Sequence, residues 1–100
     1  LPTDDDTRVH WLVTVALAGA AASDTDLAAT QREAYRNYRD YLIGLLATMP
    51  GIDDTATEAE RLIGLVDGIA LQALFDPDGW PPERQLRALD AGLVVASVAR

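Results

Sequence analysis

Apolar residues recur along this chain at helical rather than alternating spacing, and four stretches carry the start and stop signals of helices. The first is expected from Asp4 to Ala22, with Thr3 as N-cap and Asp4, Asp5 and Asp6 where the helix dipole favours carboxylates. Few polar groups interrupt it between Val9 and Ala22, so it is expected to be wrapped on most sides. The second is expected to start after Ser23 or Asp24 and to end near Met49, before Pro50-Gly51. Its helical wheel gathers Leu27, Ala34, Tyr35, Tyr38, Tyr41, Leu42, Leu45, Leu46 and Met49 on one stripe. Arg32, Glu33, Arg36, Asn37 and Asp40 lie opposite, on the face for solvent.

The third helix is expected to open with a capping box formed by Thr55 and Glu58. A wide apolar face follows, from Leu62, Ile63, Leu65, Val66, Ile69, Ala70, Ala73 and Leu74, and a second stripe of Gly64, Gly68, Leu71 and Phe75 lies on the other side. Two contact faces imply two different neighbours. Asp76-Pro77-Asp78-Gly79 forms a turn, and Pro82 suits the first position of a fourth helix that runs to about Val98. Leu86, Leu89, Leu93 and Ala96 make its seam, and from Ala91 to Ala99 almost every residue is apolar or small. The expected fold is all-α: an antiparallel bundle of about four helices.

If the wide face of the third helix packs inward, the glycine stripe and the apolar end of the fourth stay exposed in a monomer, and such patches usually mark interfaces. A two-fold pairing of the last two helices of each subunit would give a four-helix bundle across a homodimer. The expected interface is Gly64, Asp67, Gly68, Leu71, Phe75, Leu86, Leu89, Leu93 and Ala96. Burial of both faces within one chain, or by another part of the protein, is the competing reading.

Composition narrows the function classes. The 100 residues are 49% hydrophobic, with Ala the commonest, and carry a net charge of −8, every basic residue being Arg. A polyanion such as DNA needs a basic footprint, so these residues by themselves are not expected to bind it. The chain has no Cys, and hence no thiolate zinc site, disulfide or cysteine nucleophile, which suits a reducing cytoplasm. Its longest apolar run, Trp11 to Ala22, is too short to span a bilayer, so no membrane partner is expected. Leu1 is not an initiating Met, and the expected start is a cut inside a longer protein.

From Glu58 to Leu93 the chain resembles the C-terminal end of TetR-family transcription regulators, particularly those with a BetI-like regulatory domain. The likeness is carried by Leu65-Val66-Asp67-Gly68-Ile69-Ala70-Leu71-Gln72-Ala73-Leu74, then Asp76-Pro77 and Pro82-Glu83-Arg84. Asp26-Leu27-Ala28-Ala29 and Arg32-Glu33-Ala34-Tyr35 are similar too, though more weakly. The resemblance implies a dimeric bacterial repressor or activator, and the reading taken of the two is a repressor whose operator binding is relieved by a small apolar or amphipathic effector. In such proteins an N-terminal helix-turn-helix reads DNA. No such motif lies in these residues, so residues 1–100 are expected to form the effector-binding and dimerisation domain, with DNA contact only through an N-terminal part. No cofactor is implied, and the family fixes no effector residues.

The pocket must therefore come from local chemistry. An effector site between helices is mostly apolar with a few convergent polar groups. Gln31 interrupts the second helix's stripe one turn before Tyr35 and two before Tyr38, with Leu42 beyond, while His10 and Thr14 lie one turn apart on the first helix beside Trp11 and Val15. If these lines face each other they enclose a cavity with aromatic walls; otherwise the tyrosines are core residues with their hydroxyls at the rim. Asp67, polar within an apolar helix, is expected to pair with Arg87, Arg61 or the partner subunit, or to hold a ligand cation. Asp6 and His10 have a metal-ligand spacing, but with one His and no Cys the solvated, dipole-favoured reading prevails and no metal is expected. An enzyme fares poorly, because the single His has no evident nucleophile beside it and no phosphate loop exists. A dimerisation scaffold without an effector shares the same fold, and differs only in having no true cavity.

Overall fold

The computed structural model describes the backbone of residues 1–98 and the side chains of residues 1–93. It holds four helices, α1 (Asp5–Ala21), α2 (Thr25–Leu46), α3 (Thr55–Phe75) and α4 (Pro82–Val98), and no strand among the described residues. The fold class is all-α, as the spacing of apolar positions implies.

Aspartates start the first three helices. The Asp4 carboxylate accepts from the Thr7 amide at 2.8 Å while the Thr7 hydroxyl oxygen accepts from the Asp4 amide at 3.1 Å, a reciprocal capping box. Asp24 accepts from the amides of Asp26 and Leu27, and Asp54 from the amide and hydroxyl of Thr57. Thr3 and Thr55 are therefore not the caps expected of them. A carboxylate one residue away offers a charged acceptor to the positive helix end, and it prevails over a hydroxyl. Glu58, released from the expected box, is buried and paired with Arg61 at 2.7 Å. α2 stops at Leu46, earlier than expected, and the chain turns through Gly51, whose φ of 86° is a conformation that L side chains rarely adopt.

The core is centred on α3. Among the described residues the buried apolar side chains are Ala59, Ile63, Ile69, Ala70, Ala73 and Leu74 of α3 together with Leu46 of α2. α1 and α2 pack on α3 and on each other, whereas among the described residues α4 packs on no helix but α3. The molecule measures 38 × 34 × 19 Å, and its thin dimension is about two helix diameters. A two-layer body this thin cannot wrap a helix on every side.

That geometry overturns two expectations. α1 buries no residue fully, and Val9, Leu12, Val13 and Leu17 are exposed. On α2, Leu46 is buried and Leu27 and Leu42 are half-buried, but Tyr41 and Leu45, with Met49 just past the helix, face solvent, because among the described residues α4 does not reach that helix. α4 approaches α3 at Gly92, where a Cβ would collide with the Leu65 side chain. Arg61 fastens the same crossing, donating to the Gly92 carbonyl at 3.0 Å while it holds Glu58.

Candidate functional site

α1, α2 and α3 enclose a cavity of about 280 Å³. α1 contributes His10, Trp11 and Thr14, spaced so that successive turns face inward, and α2 contributes Gln31, Ala34, Tyr35 and Tyr38 by the same rule. α3 contributes Asp67. Six of the residues singled out from sequence, His10, Trp11, Thr14, Gln31, Tyr35 and Tyr38, thus meet around one space. Val15 and Leu42 do not line it, and Ala34, whose small side chain leaves the room, was not singled out. The cavity opens beside His10, Tyr35 and Tyr38, all exposed, and the His10 and Trp11 rings meet edge to face at 6.5 Å.

Asp67 requires a correction. Expected among the interface residues and in search of an arginine, it lines the cavity, and the partner it has in the structure is neither Arg61 nor Arg87. The Tyr35 hydroxyl donates to Asp67 Oδ2 at 2.6 Å. Arg61 is committed to Glu58 and the Gly92 carbonyl. The hydrogen bond to Asp67, aided by burial, pushes the Tyr35 phenol up to about 12, and burial with the Asp67 charge raises Tyr38 as well. The Thr14 hydroxyl proton is spent on the His10 carbonyl at 2.9 Å, so toward a ligand Thr14 offers only oxygen lone pairs.

A second cavity, of about 160 Å³, lies where the segment before α1 meets the end of α3 and the start of α4. Gln85 is 1% exposed and donates to the Pro2 carbonyl at 3.1 Å and the Trp80 carbonyl at 2.9 Å, while its Oε1 has no protein partner. Arg8 donates to the carbonyls of Ala73 and Leu74, the last turn of α3. These two side chains fix the start of α1 to the rest of the domain. Neither was singled out from sequence; a glutamine beside a leucine seam was the only signal.

On the opposite side of α3, Leu71 is 47% and Phe75 72% exposed, and Cβ atoms added at Gly64 and Gly68 would meet open space. Leu86 and Leu93 of α4 are also exposed, and Leu89 is half-buried. Ala96, expected on the same seam, lies outside the residues whose side chains are described.

Residues 1–95 match the family model of the BetI-type transcriptional repressor, C-terminal domain. The chain belongs to that family. No curated protein and no solved structure matches it significantly. This BetI-type domain is thus a C-terminal regulatory domain of the TetR family. Among its described residues no three His, Cys, Asp or Glu side chains are grouped to hold a metal ion, and no helix is long and apolar enough to cross a membrane.

Proposed function

We propose that this domain senses a small apolar or amphipathic effector in the cavity between α1, α2 and α3, and pairs with a second copy through α3 and α4. The DNA-reading headpiece belongs to another, N-terminal part of a cytoplasmic repressor, which leaves its operator when the effector binds. The cavity itself carries this reading: a scaffold without an effector has no use for a space of about 280 Å³ lined by three aromatic rings and a few polar groups. Pairing is supported by exposed area. A compact monomer of this mass shows roughly 5,500 Å² to solvent, whereas the chain exposes 6549 Å². The excess is of the order that one partner gives up in a standard interface.

α1 connects the two roles. His10, Trp11 and Thr14 form one cavity wall, and one turn earlier Arg8 holds the last carbonyls of α3. A ligand that displaces Trp11 moves α1 against that anchor and shifts the balance between two arrangements of the pair. Only a ligand with different affinity for the two arrangements transmits a signal.

Filling the cavity tests the reading. In a thermal-shift screen of lipophilic and cationic compounds, hits at about 100 times their Kd should stabilise the wild-type protein by about 2.7 kcal/mol. With Ala34→Phe the same compounds should lose their shift while the mass of the assembly stays the same. Shifts that persist in Ala34→Phe, or a wild-type protein that no compound stabilises, would place the function elsewhere.

A further inference from the structure

We infer that the second cavity, where the segment before α1 meets the end of α3 and the start of α4, binds a small, flat, uncharged carboxamide through Gln85. This site shares no lining residue with the cavity between α1, α2 and α3, and it stands independently of the effector reading.

Gln85 is 1% exposed, and its Nε2 donates to the carbonyls of Pro2 and Trp80. Turning the amide over would set its oxygen against two carbonyl oxygens, so the nitrogen must face them and Oε1 is left as the unpartnered atom. A buried acceptor without a donor is costly, and a ligand N–H removes that cost. The cavity that Gln85 lines holds about 160 Å³, several times the roughly 30 Å³ share of one liquid water. Pro77, Trp80 and Pro82 give it ring-faced walls, against which a flat apolar body packs better than water does. Charges in the lining decide the head group. Asp4 and Asp5 oppose an anion and Arg8 opposes a cation, so a neutral head is favoured. Arg8 gives one N–H from each terminal nitrogen to the carbonyls of Ala73 and Leu74, and its remaining donors bear no bond among the described residues. A carboxamide answers both needs, because its N–H suits Gln85 Oε1 and its carbonyl suits the open donors of Arg8.

The chain has two tryptophans, and each cavity has one of them in its lining, Trp11 in the first and Trp80 in the second. In proton–nitrogen correlation spectra their indole signals therefore report the two sites separately. Three probes with one ring and different heads are titrated at neutral pH: benzamide, N,N-dimethylbenzamide, which has no N–H, and benzoate. Benzamide should move the Trp80 signal, the dimethyl analogue should need roughly tenfold more to do so, and benzoate should bind most weakly. Gln85→Met, similar in shape but without the acceptor, should erase the difference between benzamide and its dimethyl analogue. Thr3→Phe, which fills part of the cavity and leaves Gln85 in place, should abolish the Trp80 shift for all three. Benzamide that moves only the Trp11 signal, or neither, means that water alone fills the second cavity and overturns the inference. A dimethyl analogue or benzoate that equals benzamide overturns it too, as does a Trp80 shift that survives Thr3→Phe. Should Gln85→Met fail to fold, the three probes on the wild-type and Thr3→Phe proteins decide the matter alone.

Discussion

At the scale of single residues, the Tyr35 hydroxyl on Asp67 joins α2 to α3 at the wall of the cavity. Its energetic sign follows from the titration. The folded-state pKa, about 12, lies above the ordinary 10.0 of a tyrosine, so the protonated phenol is favoured by folding. The stabilisation is therefore full below pH 10 and is lost as pH rises from there through 12. Because Tyr35 is 36% exposed, solvent screening keeps the bond near about 1 kcal/mol. Phenolate absorbance should show one tyrosine ionising near 12, and Asp67→Asn should bring it down toward the normal range. A Tyr35 that titrates normally in the wild-type protein would mean that the contact does not persist in solution. The sequence marked Asp67 as a polar residue that needed a partner, yet it did not reveal which. A wheel gives a direction about one helix axis, whereas the neighbour that answers is set by how helices far apart in sequence dock. Gln85 escaped notice for a related reason: the leucines beside it defined a seam, while the packed side of α4 falls on Gln85 and Gly92.

At the scale of elements, the number and order of the helices were legible, because Pro50-Gly51, Asp76-Pro77 and Pro82 punctuate the chain regardless of tertiary context. The surroundings of α1 were not. An Ala-rich helix that is apolar all round reads as enclosed, but its small side chains give little area to bury, and the two-layer body leaves Val9 and Val13 in solvent. α3 is better behaved, with one face in the core and the Gly64, Gly68, Leu71 and Phe75 stripe outside it. The glycines separate two roles, since a Cβ at Gly68 meets nothing within its own subunit. Gly68→Ala should therefore stabilise the isolated helix by up to about 1 kcal/mol. Gly68→Leu should leave the subunit folded and weaken self-association by roughly tenfold, through crowding where two backbones approach. Circular dichroism with sedimentation velocity reads both effects. A Gly68→Leu protein that associates as strongly as wild type would remove this stripe from the interface.

At the scale of the whole molecule, a net charge of −8 is the opposite of the basic footprint that a DNA-reading domain needs. The family was legible in the run from Leu65 to Leu74 with the prolines after it, and the match over residues 1–95 bears it out. The ligand was not legible in the same way, because a pocket between helices is defined by which side chains are small, such as Ala34, as much as by which are distinctive. Everything proposed for this domain turns on α3 having two faces, one closing the cavity and one meeting a twin. Sedimentation equilibrium of the wild-type protein tests that claim most directly. The expected result is a single species at twice the 10.7 kDa chain mass, dissociating only on strong dilution. A well-folded monomer that holds its mass at every concentration would contradict it.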